Sequence, residues 1–127
     1  MQNQKSAIGL DANVTALVGY IIGIIALVLI FIEKDNKFVR FHALQSVLWS
    51  VGYWVIAIIV FTVLGIVGFG VSMVSGTLGG IVWGLLGLLA FVAWLPWVGG
   101  MIYGAIKSYG GEMTKLPIVG GFAEKWT

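Results

Sequence analysis

The sequence contains no cysteine, one histidine and two prolines, and only 9% of its residues are charged. The missing cysteine removes disulfides, thiolate metal sites and thiol chemistry. One histidine and five carboxylates speak against a protein-held zinc ion, and no cofactor is expected. There is no Gly-Lys-Ser/Thr phosphate loop, no His-Glu-x-x-His pair and no serine nucleophile elbow. No charged residue occurs from Ala43 to Ile106, so no carboxylate relay is available for proton pumping. Catalysis is not the expected role.

Apolar side chains dominate instead, at 60% of 127 residues with a mean hydropathy of +1.05. A soluble domain is about 25% charged and 45–50% apolar, so hydrocarbon is the expected solvent. Ala12–Ile32 gives 21 residues without charge and Ala43–Ile106 gives 64. About 20 helical residues cross a bilayer core of about 30 Å. The expected fold is an all-α integral membrane bundle forming one domain, 1–127. Its three transmembrane helices lie at about 12–32, 38–68 and 80–108, followed by a short amphipathic tail at 109–127. The Gly/Ser/Thr-rich stretch Gly68–Gly80 is the weakest helix former and reads as the connection between the second and third spans. Asn36 is the expected N-cap of the second helix, and Asp11 or Asn13 that of the first. The short Glu33–Lys37 loop makes helices 1 and 2 an antiparallel pair. The apolar run Val14–Ile32 is longer than a signal-peptide core of about 7–15 residues, so it reads as a retained span.

Lysine and arginine set the expected orientation. With three spans, six of the seven basic side chains fall on one face, which should be cytoplasmic. That places the N-terminus outside and the C-terminus inside. Lys34, Lys37, Arg40 and Lys107 are expected to meet anionic lipid headgroups. Seven scattered basic residues make no groove-sized stripe, so nucleic acid is not an expected partner.

The entrance to helix 2 carries the candidate site. At 100° per residue, Phe38, Phe41, His42, Gln45, Trp49 and Tyr53 share a face, and Arg40 points away toward lipid phosphate. Ser46 lies beside this stripe. Polar groups at such depth must face protein or water. They form either a site at the cytoplasmic mouth or a polar seam, in which His42 and Gln45 bond the last carbonyls of helix 1. The seam is the favoured reading.

Pro96 removes a backbone donor and is expected to kink helix 3, with Gly99 and Gly100 just beyond. Gly19/Gly23, Gly76/Gly80, Gly80/Gly84 and Gly100/Gly104 have the four-residue spacing of close helix contacts. They are expected to serve packing within one bundle, with a homo-oligomer left open. Trp49, Trp54, Tyr103 and Tyr109 suit the cytoplasmic headgroup level and Trp83 the outer one. In the tail, Phe122 and Trp126 share a face that would lie along the membrane surface.

Three segments, Gly9–Asn13, Lys34–Ser46 and Lys115–Gly120 with Ala123–Trp126, resemble a family of small bacterial and archaeal membrane proteins of unknown function. That family is similar to Tic-twenty, the small membrane subunit of the plastid inner-envelope translocon. The resemblance implies an integral, mainly helical protein, with preprotein import as the role of the plastid relatives. The expected function is a non-catalytic membrane subunit or scaffold that assists membrane-protein assembly or translocation, with another membrane protein or a second copy as partner. The alternative is a small oligomeric channel or transporter lined by Gln45, Ser46, Ser50, Thr62 and the kinked helix 3.

Overall fold

The computed structural model describes residues 4–127, and they form five helices. These are α1 (Ala12–Ile21), α2 (Gly23–Ile32), α3 (Lys37–Val74), α4 (Gly76–Tyr109) and α5 (Val119–Lys125). At 1.5 Å per residue, α3 and α4 are about 57 and 51 Å long, while α1 and α2 are each about 15 Å. Among the described residues, α3 and α4 alone are helices long and apolar enough to cross a membrane.

The first apolar stretch is therefore not the single span expected over 12–32. The helix breaks at Ile22, whose backbone is extended (φ −116°, ψ 94°), and α2 folds back along α1. Two contacts fix the reversal. A Cβ on Gly19 would lie 3.6 Å from the Ala26 Cβ, so the two helices touch just past the turn. At the other end, the Ala7 N–H donates to the Glu33 carboxylate at 2.6 Å, bringing the entry of α1 to the exit of α2. β-Branched Ile21, Ile22, Ile24 and Ile25 around Gly23 weaken the helix where it turns. Ala12, Ala16, Ala26 and Leu29 then close a core with Phe38, Val39 and Ala43 of α3.

Caps follow the sequence in part. Asn36 Oδ1 accepts from the Val39 N–H at 3.2 Å and starts α3, as expected. Asp11 precedes α1 without a side-chain cap, and Asn13 donates instead to the Tyr109 carbonyl at 3.1 Å. The expected connection over 68–80 is helical almost throughout. Ser75 alone interrupts it, and its hydroxyl caps α4 by accepting from the Leu78 N–H at 3.2 Å. In hydrocarbon every backbone donor needs a partner, which outweighs the poor helix propensity of these glycines and serines. α4 runs unbroken through Pro96.

The polar ends gather at one end of the α3–α4 pair. Asn13 reaches the end of α4, the Asn36 amide donates to the Gln4 carbonyl, and α5 packs on the first turns of α3. The thirteen Lys, Arg, Asp, Glu and His side chains all belong to this base, and the Ser75 tip has none. The N-terminal residues from Gln4 and the C-terminal helix α5 thus lie at the same end of the α3–α4 pair. From Val51 outward, α3 and α4 present exposed Ile58, Ile59, Ile66, Leu85, Leu88 and Phe91, an apolar surface suited to lipid.

Candidate functional site

The base of α3 positions the candidate residues. Phe38, Phe41, His42, Gln45 and Ser46 are buried, and Trp49 is half-buried. α1 supplies Tyr20, and the segment after α4 supplies Glu112, Thr114 and Leu116. His42 is ringed by edge-on aromatic contacts from Tyr20, Phe38 and Phe41.

The hydrogen bonds of this cluster close on themselves. His42 Nε2 lies 2.8 Å from the Glu112 carbonyl, an oxygen that only accepts, so Nε2 carries the proton. In neutral imidazole Nδ1 is then the acceptor, and the Tyr20 hydroxyl donates to it at 2.7 Å. Gln45 Nε2 donates to the Tyr20 oxygen at 2.7 Å and to the Thr114 carbonyl at 3.0 Å. Gln45 Oε1 accepts from the Leu116 N–H at 2.8 Å. Ser46 Oγ donates to the Gly19 carbonyl at 3.0 Å. A relay Gln45→Tyr20→His42→Glu112 thus pins α1 and the tail to α3. A polar seam is present, but with partners other than the expected ones. Ser46 takes a carbonyl near the end of α1, while His42 and Gln45 hold the tail rather than the carbonyls of the first helix.

Arg40 turns inward onto the end of α2. Its guanidinium donates to the Ile30 and Glu33 carbonyls at 2.8 and 3.2 Å, closing the open C-terminal end of α2. Glu33 is buried, and its carboxylate takes the Ala7 and Asn36 N–H groups at 2.6 and 3.2 Å. Lys107 pairs with Glu112 at 3.5 Å, and Lys115 pairs with Glu124. Lys34 and Lys37 remain exposed at the base.

One turn deeper, Trp49 Nε1 donates to the Trp97 carbonyl at 3.1 Å, and Trp97 Nε1 donates to Ser50 Oγ at 3.0 Å. This reciprocal pair ties α3 to α4 beside Pro96. Gly100 receives the Trp49 indole and Gly104 the Tyr20 ring, so this spaced pair does serve internal packing. Gly99 faces open space. Replacing Trp49 by Phe removes one part-buried hydrogen bond and should lower stability by about 1 kcal/mol in a denaturant titration in detergent. Within the single chain, Gln45 and Ser46 are buried in the seam, Ser50 holds Trp97, and Thr62 is exposed farther along α3.

Sequence reasoning missed Tyr20, Glu33, Trp97 and the 112–116 segment. Tyr20 carries a readable signal, as the one residue with a polar group between Thr15 and Glu33. The 112–116 backbone carries none. Among the described residues no three His, Cys, Asp or Glu side chains gather as a metal site.

Comparison with known proteins places this helical membrane protein. It is 36% identical over 124 residues to a UPF0132 membrane protein of Methanocaldococcus jannaschii, covering 97% of this chain and 94% of the relative. It is 34% identical over 114 residues to one of Archaeoglobus fulgidus, covering 89% and 92%. A second M. jannaschii UPF0132 membrane protein is 32% identical over 121 residues, covering 94% and 73%. No solved structure matches. These relatives agree with the resemblance to a small prokaryotic membrane family. The family match spans residues 3–123, and the chain belongs to the magnetosome magnetite crystal formation protein family.

Proposed function

We propose that the protein is a non-catalytic membrane subunit, a scaffold that crosses the bilayer twice, on α3 and α4, with both ends at the cytoplasmic face. The self-closed seam carries this reading. His42, Tyr20, Gln45 and Ser46, the polar side chains of the seam, bond one another and the backbone, so their chemistry holds the chain together. The orientation follows from the charges: with two crossings all seven basic side chains share the cytoplasmic face.

The family description supplies a setting, magnetosome magnetite crystal formation. A direct mineral-templating role would call for a face of free carboxylates. Of the five carboxylates, Asp11 pairs with Lys5, Glu112 with Lys107 and Glu124 with Lys115, and Glu33 is buried, so the exposed Asp35 makes no such face. The scaffold reading therefore assigns the protein to the membrane and its assembly, with other membrane proteins as partners. A part in translocation, implied by the likeness to Tic-twenty, is a narrower form of the same role.

Single cysteines test the topology, since the chain has none of its own. Lys5→Cys and Lys125→Cys should react with an impermeant maleimide from the same side of inverted membrane vesicles, and Thr77→Cys from the other. Labelling of the two ends from opposite sides refutes two crossings. A photocrosslinker at Phe122, exposed on α5, should capture a defined protein in native membranes; lipid adducts alone overturn the scaffold role.

A further inference from the structure

Resting on the two-crossing reading, we infer that the α1–α2 hairpin is a wedge in the leaflet at the charged face, and that the protein's lipid partner is a bilayer curved with that face convex. The hairpin is about 15 Å tall, so it widens the charged end of the α3–α4 pair and leaves the rest of its length as two helices. Its base lies at the charged end, where Ala7 meets Glu33. Its apex reaches the level of Ser50 and Trp97, where Ile21 and Gly23 line a cleft with them of about 450 Å³.

The hairpin belongs in hydrocarbon. α2 turns Ile24, Leu27, Val28 and Phe31 outward, with Ile24 and Phe31 both 71% exposed, and neither helix of the hairpin contains a charged residue. α2 packs on α1 and α3, so its outer face meets lipid. The protein is then four helices across at the charged end and two helices across beyond Ser50, where α3 runs on to Val74 for about 36 Å. At about 10 Å per helix diameter, the protein takes up roughly twice the area on the near side. α5 adds Phe122 and Trp126 at the same level, both exposed, with rings 5.6 Å apart. A cross-section wider at the charged end fits best where that leaflet is expanded, on the convex side of a curved membrane.

The test uses the full chain with Lys125→Cys carrying a fluorophore, reconstituted into phosphatidylcholine–phosphatidylglycerol vesicles, either small and sonicated or large and extruded. An impermeant quencher reports the copies whose charged face points outward. The ratio of outward to inward copies should be about twofold or more higher in the small vesicles, as expected for a population shifted by differential fit. An equal or reversed ratio overturns the wedge. Ile24→Ala, Leu27→Ala and Phe31→Ala together trim the outer face of α2 without touching its packed side, and should reduce the difference. A difference that persists in full moves the cause away from the hairpin and overturns the assignment. Parallel labelling at Lys5→Cys separates the two readings. If the topology fails, the two labels quench in complementary fractions. If only the wedge fails, they quench together at a ratio independent of vesicle size.

Discussion

Gln45→Leu should release the C-terminal tail and lower stability by about 3 kcal/mol or more. Leucine fills nearly the same volume, so the effect isolates hydrogen bonding. Three bonds end at once: Gln45 Nε2 to the Tyr20 hydroxyl, Nε2 to the Thr114 carbonyl, and the Leu116 N–H to Oε1. The Tyr20 hydroxyl keeps its bond to His42 Nδ1. The Thr114 carbonyl and the Leu116 N–H lose their partner at a site where Gln45 is fully buried and Leu116 nearly so. Each buried polar group left without a partner costs about 1–3 kcal/mol, whereas a paired group returns only about 1 kcal/mol net. The nearest escape is for residues 112–118 to leave α3 and find water. Trypsin cleavage after Lys115 should therefore accelerate at least tenfold, before any change in the helical circular dichroism. Gln45→Glu retains the acceptor for the Leu116 N–H but loses both amide donors, so its cleavage rate should fall between the two. A tail in Gln45→Leu that resists trypsin as well as the original chain would remove the seam from the account of this protein.

The parts of this fold that were legible are those set by the solvent. Charge-free runs announce membrane helices because charges do not enter hydrocarbon, and the base of α3 announces its polar face because His42 and Gln45 are three residues apart on a helix. What faces them was not legible. The donors and acceptors on the partner side are backbone groups about 70 positions away, and a carbonyl leaves no trace in composition. The break at Ile22 was hidden for a different reason. Every residue from Ile21 to Ile32 is apolar except glycine, so no periodicity distinguishes one long helix from two short ones. Packing decides it, through Gly19 against Ala26 and through Arg40 receiving the carbonyls at the end of α2. One expected helix thus becomes a hairpin at a single residue, and on the two-crossing reading proposed above the side of the N-terminus changes with it.

Gly104 on α4 shows how strongly this packing is specified. A Cβ there would overlap the Tyr20 ring, and the ring has no room to yield. Its hydroxyl is fixed by His42 Nδ1 and Gln45 Nε2, both at 2.7 Å, and its faces are enclosed with Met101, Ala105 and Leu116. Inserting a methyl into such a site forces a shift costing about 1–3 kcal/mol, and here the shift also stretches two buried hydrogen bonds of about 1 kcal/mol each. Gly104→Ala should therefore destabilise by about 3 kcal/mol, and Gly104→Leu should prevent α1 from docking on α4. Gly84 and Gly87 lie on the same helix but face open space. Alanine at either should be neutral or stabilising by up to about 1 kcal/mol, the ordinary gain in helix propensity. The contrast is read by unfolding in detergent, and a double-mutant cycle locates its cause. Tyr20→Ala empties the space that the new methyl invades, so in that background Gly104→Ala should cost less than about 1 kcal/mol, a coupling beyond the additivity of separate sites. If Gly104→Ala proves as harmless as Gly84→Ala, α1 is not seated on α4. The hairpin would then lose the contact that seats it against α4.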